Sequence, residues 1–228
     1  FTEGNSWHYS WSVFHDIAGL AKMMGGREAF AQKLDSVFSM PPIFDDAYYG
    51  FVIHEIREMQ IMNMGQYAHG NQPIQHMIYL YNYVGQPWKT QYWIREVMNK
   101  LYKAAPDGYC GDEDNGQTSA WYVFSAMGFY PVCPSTDQYV LGTPLFKKIT
   151  LNQENGKQVV IRAGNSSADN KYVQSLLLNG KTWPNNWVSH QSLQQGAVLD
   201  FELAPDPSRT RGTSAEADPY SFSVHEKR

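Results

Sequence analysis

The sequence predicts an α+β fold, in which a helical part over residues 1–135 precedes a small antiparallel β module and polar tail over residues 136–228. In the first part, apolar residues recur at helical spacing between short breaks made by glycine and proline. After residue 135 the apolar period changes to two, and Asn-Gly and Gly turns separate short runs. Paired helices with alternating short and longer loops are typical of an α/α toroid, so we expect the helical part to be a portion of one.

Six helices are expected in the helical part. A Gly-Gly pair ends the first and a Pro-Pro pair ends the second, while Pro73 opens the fourth, as proline does at a first helical position. Thr118 or Ser119 is predicted to cap the sixth. The predicted helices cover residues 7–24, 27–39, 46–64, 73–85, 88–103 and about 119–128.

Four strands are expected in the β module, each a short alternating or apolar run bounded by turn residues. The segment 205–217 is polar and is predicted to be loose, and residues 219–224 could form a last strand. The four strands are predicted at residues 147–152, 157–163, 172–180 and 197–204.

Composition excludes several functional classes. Of the 228 residues, 43% are hydrophobic and 18% charged, which indicates a folded chain. The net charge of −4 argues against nucleic acid or an anionic membrane as partner, and no apolar run approaches the roughly 20 residues that a bilayer requires. Cys110 and Cys133 fit no metal-binding spacing and are predicted to be free thiols. The first residues read as the middle of a domain, so we expect the chain to be a fragment of a longer protein.

An acidic loop lies ahead of the sixth helix, in "GYCGDEDNGQ". Asp112, Glu113 and Asp114 are consecutive, and their negative charges would repel one another. Such a cluster indicates either a bound cation or a catalytic role. An EF-hand is excluded because its fifth and twelfth positions would be Gly116 and Val123. The alternative is a solvated loop whose carboxylates favour the helix dipole.

Three further motifs carry candidate functional polar residues. Glu3 lies in "TEGNSWHYSW" and, taken alone, could be a capping-box or surface residue. "HEIREM" lacks the second histidine of a zinc helix, since Glu58 stands there, so an ordinary charged helix face is its alternative. "HGNQP" could be only a turn before Pro73.

These motifs occur together in one order. "EGNSWHYSW", "HEIREM", "GQYAHGNQP", "YLYNYVGQPW" and "GYCGDEDNGQTSAWYVFSAMGFYPV" resemble, in order and spacing, the calcium-dependent α-mannosidases of glycoside hydrolase family 92. The resemblance covers residues 1 to about 150 and continues more loosely through the β module. It implies the C-terminal part of such an enzyme, with a portion of its (α/α)6 toroid. The missing N-terminal part is then an expected partner, and a secreted or periplasmic location is implied.

The resemblance also implies an inverting mechanism with two carboxyl groups. Glu3 matches the glutamate that acts as general acid in the family, and Asp112 and Asp114 match the aspartates from which the general base is drawn. Inverting glycosidases hold the two groups about 6.5–9.5 Å apart, which leaves room for the attacking water.

A calcium ion is the implied cofactor. A hard cation that binds O2 and O3 of mannose would relieve the repulsion between axial O2 and the attacking water. The family's Gly-Asn-Glu-Pro motif stands here as Gly70-Asn71-Gln72-Pro73, so a neutral oxygen ligand replaces a charged one. Gln72 and Asn5 are the candidate metal ligands.

The implied substrate is a mannose-containing oligosaccharide, such as an N-glycan or a mannan. His54 and Glu55 match a pair that contacts the leaving-group mannose in members acting on α-1,2 linkages. Exo-α-1,2-mannosidase is therefore the preferred function, with α-1,3 or α-1,6 activity next. Trp7, Trp11 and Trp121 could include sugar-stacking rings, with Trp7 as the candidate site residue, although core packing is favoured for any one of them.

Two other classes of function stay open from the sequence. One is a non-catalytic carbohydrate-binding or structural fragment, because the β module could pass for a lectin-like domain. The other is a lyase or hydrolase acting on acidic glycans, which would require basic residues near the motifs. Lys and Arg are scarce there.

Overall fold

The computed structural model describes residues 1–225. Helices precede a largely antiparallel sheet, so the predicted α+β fold is confirmed. The α-helices are α1 (Ser6–Tyr9), α2 (Ile17–Met23), α3 (Arg27–Ser39), α4 (His54–Met62), α5 (Pro87–Leu101), α6 (Gln117–Met127), α7 (His190–Gln194) and α8 (Phe222–His225), and 3₁₀ helices cover Gln72–Ile74, Met77–Val84 and Ala215–Ala217. The strands are β1 (Phe129–Tyr130), β2 (Gln138–Leu141), β3 (Lys148–Asn152), β4 (Gln158–Arg162), β5 (Tyr172–Leu178), β6 (Lys181–Thr182), β7 (Trp187–Ser189) and β8 (Ala197–Ala204).

The first predicted helix is two helices. Residues 7–24 divide into α1 and α2, because Asp16 accepts a hydrogen bond from the Gly19 backbone N–H (3.1 Å) and caps a new helix. Trp11 and Ile17 are both fully buried on either side of the break, so one apolar face continues through a turn. The periodic pattern could not distinguish these two arrangements.

The third and fourth predicted helices are shorter or of another type. Residues 46–50 form a turn closed by the Gly50 N–H on Asp46 O (2.9 Å), so α4 begins only at residue 54. It ends at Asn63, which adopts a left-handed conformation with φ of 51°. The fourth helix is 3₁₀ over Met77–Val84, with every residue buried, because packing overrides local preference there. The prediction for α3, residues 27–39, is confirmed.

The β module is built on a five-stranded sheet of order β3-β4-β8-β5-β6. All four predicted strands are present, as β3, β4, β5 and β8. Neighbouring strands are antiparallel except β4 and β8, which pair in parallel. A second sheet of order β1-β2-β7 was not predicted, because its strands are too short for a clear alternation.

The chain end is helical and well bonded. Residues 219–224 are not a strand: Phe222–His225 is helical, and the Ser223 hydroxyl donates to Asp16 (2.8 Å). The 205–217 segment is not loose, since the buried guanidinium of Arg211 donates to Asn186 Oδ1 (3.0 Å) and Asn185 O (2.9 Å). The Arg211 bonds fix the segment to the residues just before β7, and the Ser223 bond returns the chain end to α2.

Two apolar cores support the fold, one among the helices and one beneath the larger sheet. Phe124 of α6 packs against both. Arg95 of α5 is 3% exposed and donates to Pro144 O (2.5 Å) and Ser166 Oγ (2.7 Å), which fixes the helical part to the β module. The division at residue 135 and the sixfold toroid stay predictions. Within residues 1–225, no helix has the length and apolar character to cross a membrane.

Candidate active site

Three segments chosen from the sequence lie against one another. The Asn71 side-chain amide donates to Glu3 O (2.8 Å), and the Gln72 amide donates to Asp112 O (3.0 Å). The segment "HGNQP" therefore contacts both the start of the chain and the acidic loop. The folded chain thus brings together the motifs that carry Glu3 and Asp112, although 109 positions separate the two residues in the sequence.

The backbone of Glu3 is held firmly while its carboxylate stays exposed. Its N–H donates to the Tyr49 hydroxyl (2.9 Å), which in turn donates to Phe1 O (2.7 Å). Glu3 has φ of 54°, a left-handed conformation that is costly for a residue with a side chain. Such strain at an exposed carboxylate is typical of a functional position.

The capping-box alternative for Glu3 is excluded by the next turn. Asn5 caps α1 by accepting the Trp7 N–H (2.9 Å), and His8 Nδ1 accepts the Asn5 N–H (3.2 Å). Burial lowers the pKa of His8 to about 4, which keeps the imidazole neutral and able to accept. The cap therefore consists of Asn5 and His8, and Glu3 takes no part in it.

The acidic loop divides its carboxylates between two roles. Glu113 accepts hydrogen bonds from the Ser119 hydroxyl (2.5 Å) and from the Ser119 N–H (3.3 Å), so it serves the N-terminus of α6. Asp112 and Asp114 instead have exposed side chains. The prediction that Thr118 or Ser119 caps α6 is wrong, because Gly116 is the N-cap and makes no side-chain bond.

The turn of this loop is tight. Asp114, Asn115 and Gly116 are consecutive left-handed residues, with φ of 45°, 58° and 94°. This conformation reverses the chain within a few residues and keeps Asp112 and Asp114 on the outside of the loop. It is the physical reason for the Asn-Gly pair at the helix entrance.

Helix α4 adds a histidine and two carboxylates beside the acidic loop. His54 Nε2 lies 3.0 Å from Glu55 Oε1 and 3.7 Å from Asp112 Oδ2, while its Nδ1 lies 3.4 Å from Glu58 Oε1. Desolvation is the largest single effect and lowers the pKa of His54, but the three surrounding carboxylates together outweigh it, and the net pKa is raised. Protonated His54 would donate from both ring nitrogens.

A cavity of about 550 Å³ is lined by Gln72 and Asp114, whereas Glu3, His54 and Asp112 are not among its lining residues. Phe14, His76 and Tyr130 supply aromatic walls. A larger cavity of about 800 Å³, next to Arg27 and Asp218, contains none of the predicted site residues, so we place the site at the smaller one.

The tryptophans differ in their availability to a ligand. Trp11 and Trp121 are fully buried, and the Trp121 indole donates to Gln75 O (3.0 Å), so both belong to the core. Trp7 is half-buried, and Lys33 Nζ lies 3.6 Å from its ring centroid. A sugar-stacking role for Trp7 stays a prediction and would use the edge or face that Lys33 leaves open.

The residues of this chain fit a calcium ion only in part. Calcium takes about 6–8 oxygen ligands. Both polar atoms of the Asn5 amide are already hydrogen-bonded, because Oδ1 accepts from the Trp7 N–H (2.9 Å) and Nδ2 donates to Gln66 Oε1 (3.0 Å). Gln72 uses only its side-chain nitrogen, so its Oε1 stays available. Across the described part of the chain, no group of three or more acidic, histidine or cysteine side chains could hold a metal. We therefore derive no reaction step through a metal.

Two residues of the site were missed by sequence reasoning. Tyr49 fixes the Glu3 backbone from 46 positions away, and no local pattern marks it. Glu58 was noted only as the residue that replaces a zinc-binding histidine. Its spacing of four residues from His54 on one helix could have identified it as a partner.

Solved structures resemble this chain closely over almost its whole length. A family 92 inverting mannosidase from Bacteroides thetaiotaomicron is 57% identical, with a TM-score of 0.84 over 98% of this chain and 30% of that one. A family 92 α-mannosidase from the same species is 38% identical, with a TM-score of 0.86 over 99% of this chain and 28% of that one.

A curated relative from Arthroderma benhamiae, described as an uncharacterized secreted glycosidase, is 26% identical over 99% of this chain and 26% of its own length. The chain thus spans less than a third of the length of each of these three relatives. The model of the glycosyl hydrolase family 92 catalytic domain matches residues 1–205. The chain belongs to glycosyl hydrolase family 92.

Proposed function

We propose that this chain contributes the acid and base carboxylates of an inverting exo-α-mannosidase. The observation that carries the proposal is the contact of the Glu3 segment and the acidic loop through Asn71 and Gln72. The similarity to an inverting mannosidase at 57% identity supports the reaction class.

In the proposed reaction, the Glu3 carboxyl donates its proton to the glycosidic oxygen as the bond between C1 and that oxygen breaks. A carboxylate of the acidic loop, Asp112 or Asp114, takes a proton from a water that attacks C1 from the opposite face. Displacement in one step gives β-mannose from an α-mannoside. Hydrogen bonds to the backbones of Glu3 and Asp112 fix the two segments that carry these carboxylates.

The substrate is proposed to be a terminal α-1,2-linked mannose of an oligosaccharide such as an N-glycan or a mannan. His54 lies near both Glu55 and Asp112, and His54 and Glu55 offer a donor and an acceptor to the hydroxyls of the leaving sugar. A secreted or periplasmic location is proposed, in keeping with the description of the Arthroderma relative as secreted.

We expect the full-length enzyme to hydrolyse α-1,2-mannobiose with a higher kcat/KM than α-1,3- or α-1,6-mannobiose. Glu55→Gln should raise KM for the α-1,2 disaccharide by up to about tenfold, because one hydrogen bond to the leaving sugar is weakened. An aryl mannoside, which lacks that sugar, is the control and should keep its KM. A full-length protein that binds mannosides without hydrolysing any would favour a carbohydrate-binding role instead.

We also propose that the enzyme requires calcium and that Gln72 Oε1 is a ligand from this chain, with the other ligands supplied from elsewhere. Gln72→Ala in the full-length protein should weaken calcium binding by about tenfold or more, since an oxygen ligand is lost. Gln72→Glu adds a charge and should bind at least as tightly as the parent. Calorimetric titration of chelator-treated protein measures this directly. Equal calcium affinity of Gln72→Ala and the parent would contradict the assignment.

A further inference from the structure

Glu58 is the carboxylate of the site that the proposed reaction leaves without a role. It lies one turn after His54 on α4, and its Oε1 is 3.4 Å from His54 Nδ1. Its other oxygen, Oε2, is buried and has no hydrogen-bond partner among the described residues.

The surroundings of Glu58 are shaped to hold a side chain of this size. Its Oε2 lies over the place where the backbones of Gly70 and Gly111 meet. A Cβ at Gly70 would be 2.5 Å from Oε2, and a Cβ at Gly111 would be 2.9 Å from Oε2 and 2.6 Å from Gly70 Cα. Any other residue at either position would push the carboxylate away. The two glycines belong to the segments that carry Gln72 and Asp112, so Glu58 touches both loops as well as His54.

The ionisable groups around the Glu58–His54 pair are all acidic, and His54 is the only basic one among them. Glu55, Glu58 and Asp112 face the imidazole, and the Cys110 thiol lies near Glu58. Burial raises the pKa of Glu58, an effect that His54 opposes and that Asp112 and Glu55 reinforce. Burial, with Glu58 adding to it, raises the pKa of Cys110 to about 12, so the thiol stays neutral. His54 is the one cationic partner that the Glu58 carboxylate has in this group.

We propose that Glu58 is a positioning residue, which holds His54 through Nδ1 and so directs Nε2 toward Glu55, Asp112 and the leaving-group sugar. The contact with a leaving-group sugar rests on the proposed function, whereas the pairing of Glu58 with His54 does not. With Nδ1 3.4 Å from Glu58, the pairing favours the ring orientation in which Nε2 lies toward Glu55 and Asp112. The Gly70–Gly111 contact provides the space that this arrangement needs.

The direct test is the titration of His54 in the full-length protein labelled with ¹³C-histidine, with its signal assigned from His54→Asn. Glu58→Gln should lower the His54 pKa by about 0.3 unit or more, which corresponds to the loss of an exposed i,i+4 ion pair. The sign follows from removing an anion that favours the imidazolium. Glu96→Gln is the matched control, because Glu96 forms an i,i+4 pair with Lys100 (2.7 Å) and lies outside the site. It should leave His54 unchanged.

Steady-state kinetics tests whether Glu58 affects binding of the leaving-group sugar. Glu58→Gln should raise KM for α-1,2-mannobiose by up to about tenfold and raise KM for an aryl mannoside clearly less, because the aryl substrate lacks the leaving sugar. Gly70→Ala is a second variant, for use if Glu58→Gln proves unstable. It keeps the Glu58 carboxylate but displaces it from His54, so it should also lower the His54 pKa.

Unchanged His54 titration in both Glu58→Gln and Gly70→Ala would overturn the pairing. A shifted titration with equal KM changes for the disaccharide and the aryl mannoside would overturn the link to the leaving sugar. A parent enzyme inactive on every mannoside would end the proposed function instead, and the titration would still decide whether Glu58 holds His54.

Discussion

Replacing Glu3 with Gln in the full-length enzyme should lower kcat on α-1,2-mannobiose by about 10²–10⁴-fold, the usual contribution of general acid catalysis. The leaving sugar is a poor leaving group unless its oxygen is protonated as the bond breaks. Gln has nearly the same shape as Glu but cannot deliver that proton. The Tyr49 and Asn71 contacts are to the Glu3 backbone, so the substitution should keep the loop in place. Steady-state kinetics with purified parent and variant measures the loss.

Two controls identify the cause of the loss. An activated aryl mannoside needs little protonation, so Glu3→Gln should slow its hydrolysis much less. Tyr49→Phe removes the hydroxyl that accepts the Glu3 N–H but leaves the carboxylate, and it should cost about tenfold or less on both substrates, the value of one hydrogen bond. If Glu3→Gln slowed both substrates equally, Glu3 would not be the acid.

The sequence predicted the elements whose signals are local. Helix α3 has an apolar stripe between a Gly-Gly pair and a Pro-Pro pair, and its bounds were obtained correctly. Strands β3, β4, β5 and β8 alternate between turns and were also found. In these segments the residues that determine the structure are neighbours in the chain.

The errors arose where distant contacts determine the structure. The break between α1 and α2 depends on Asp16, whose carboxylate also accepts from Ser223, 207 positions away. The 3₁₀ helix over Met77–Val84 is buried on all sides, so its sequence shows no single apolar face. The Ser223 contact and the burial on all sides are not visible in a window of a few residues, whereas the Asp16 cap on Gly19 is local and was overlooked.

The candidate site shows the same division between local and distant information. Motif spacing selected the loops of Glu3, Gln72 and Asp112, and the structure brings those loops into contact. The roles of the individual carboxylates could be assigned only from the structure. Glu113, the middle residue of the acidic run, serves the end of α6, and Glu58 lies against two glycines from different loops. A sequence shows where charges are dense, but the neighbours decide which of them are free to act.

For this reason the two exposed carboxylates of the acidic loop provide the second large prediction. Asp112→Asn and Asp114→Asn should each reduce kcat of the full-length enzyme, and the one that removes the general base should do so by about 10²–10⁴-fold. The other substitution should lower kcat less, because it only removes a negative charge near the attacking water. Kinetics on α-1,2-mannobiose and on an aryl mannoside should show similar losses, because water activation is needed for both substrates.

The control and the stereochemistry complete this test. Glu113→Gln changes a carboxylate of the same loop but keeps an oxygen that accepts from Ser119, so it should leave kcat within about threefold and alter stability by no more than about 1 kcal/mol. The first mannose released by the parent enzyme, observed by ¹H NMR before mutarotation, should be the β-anomer. Because a single displacement at C1 inverts its configuration, an initial α-anomer would require a covalent glycosyl-enzyme and a carboxylate close enough to attack C1. Glu3 and the acidic loop would then not be an acid and base on opposite faces of the sugar.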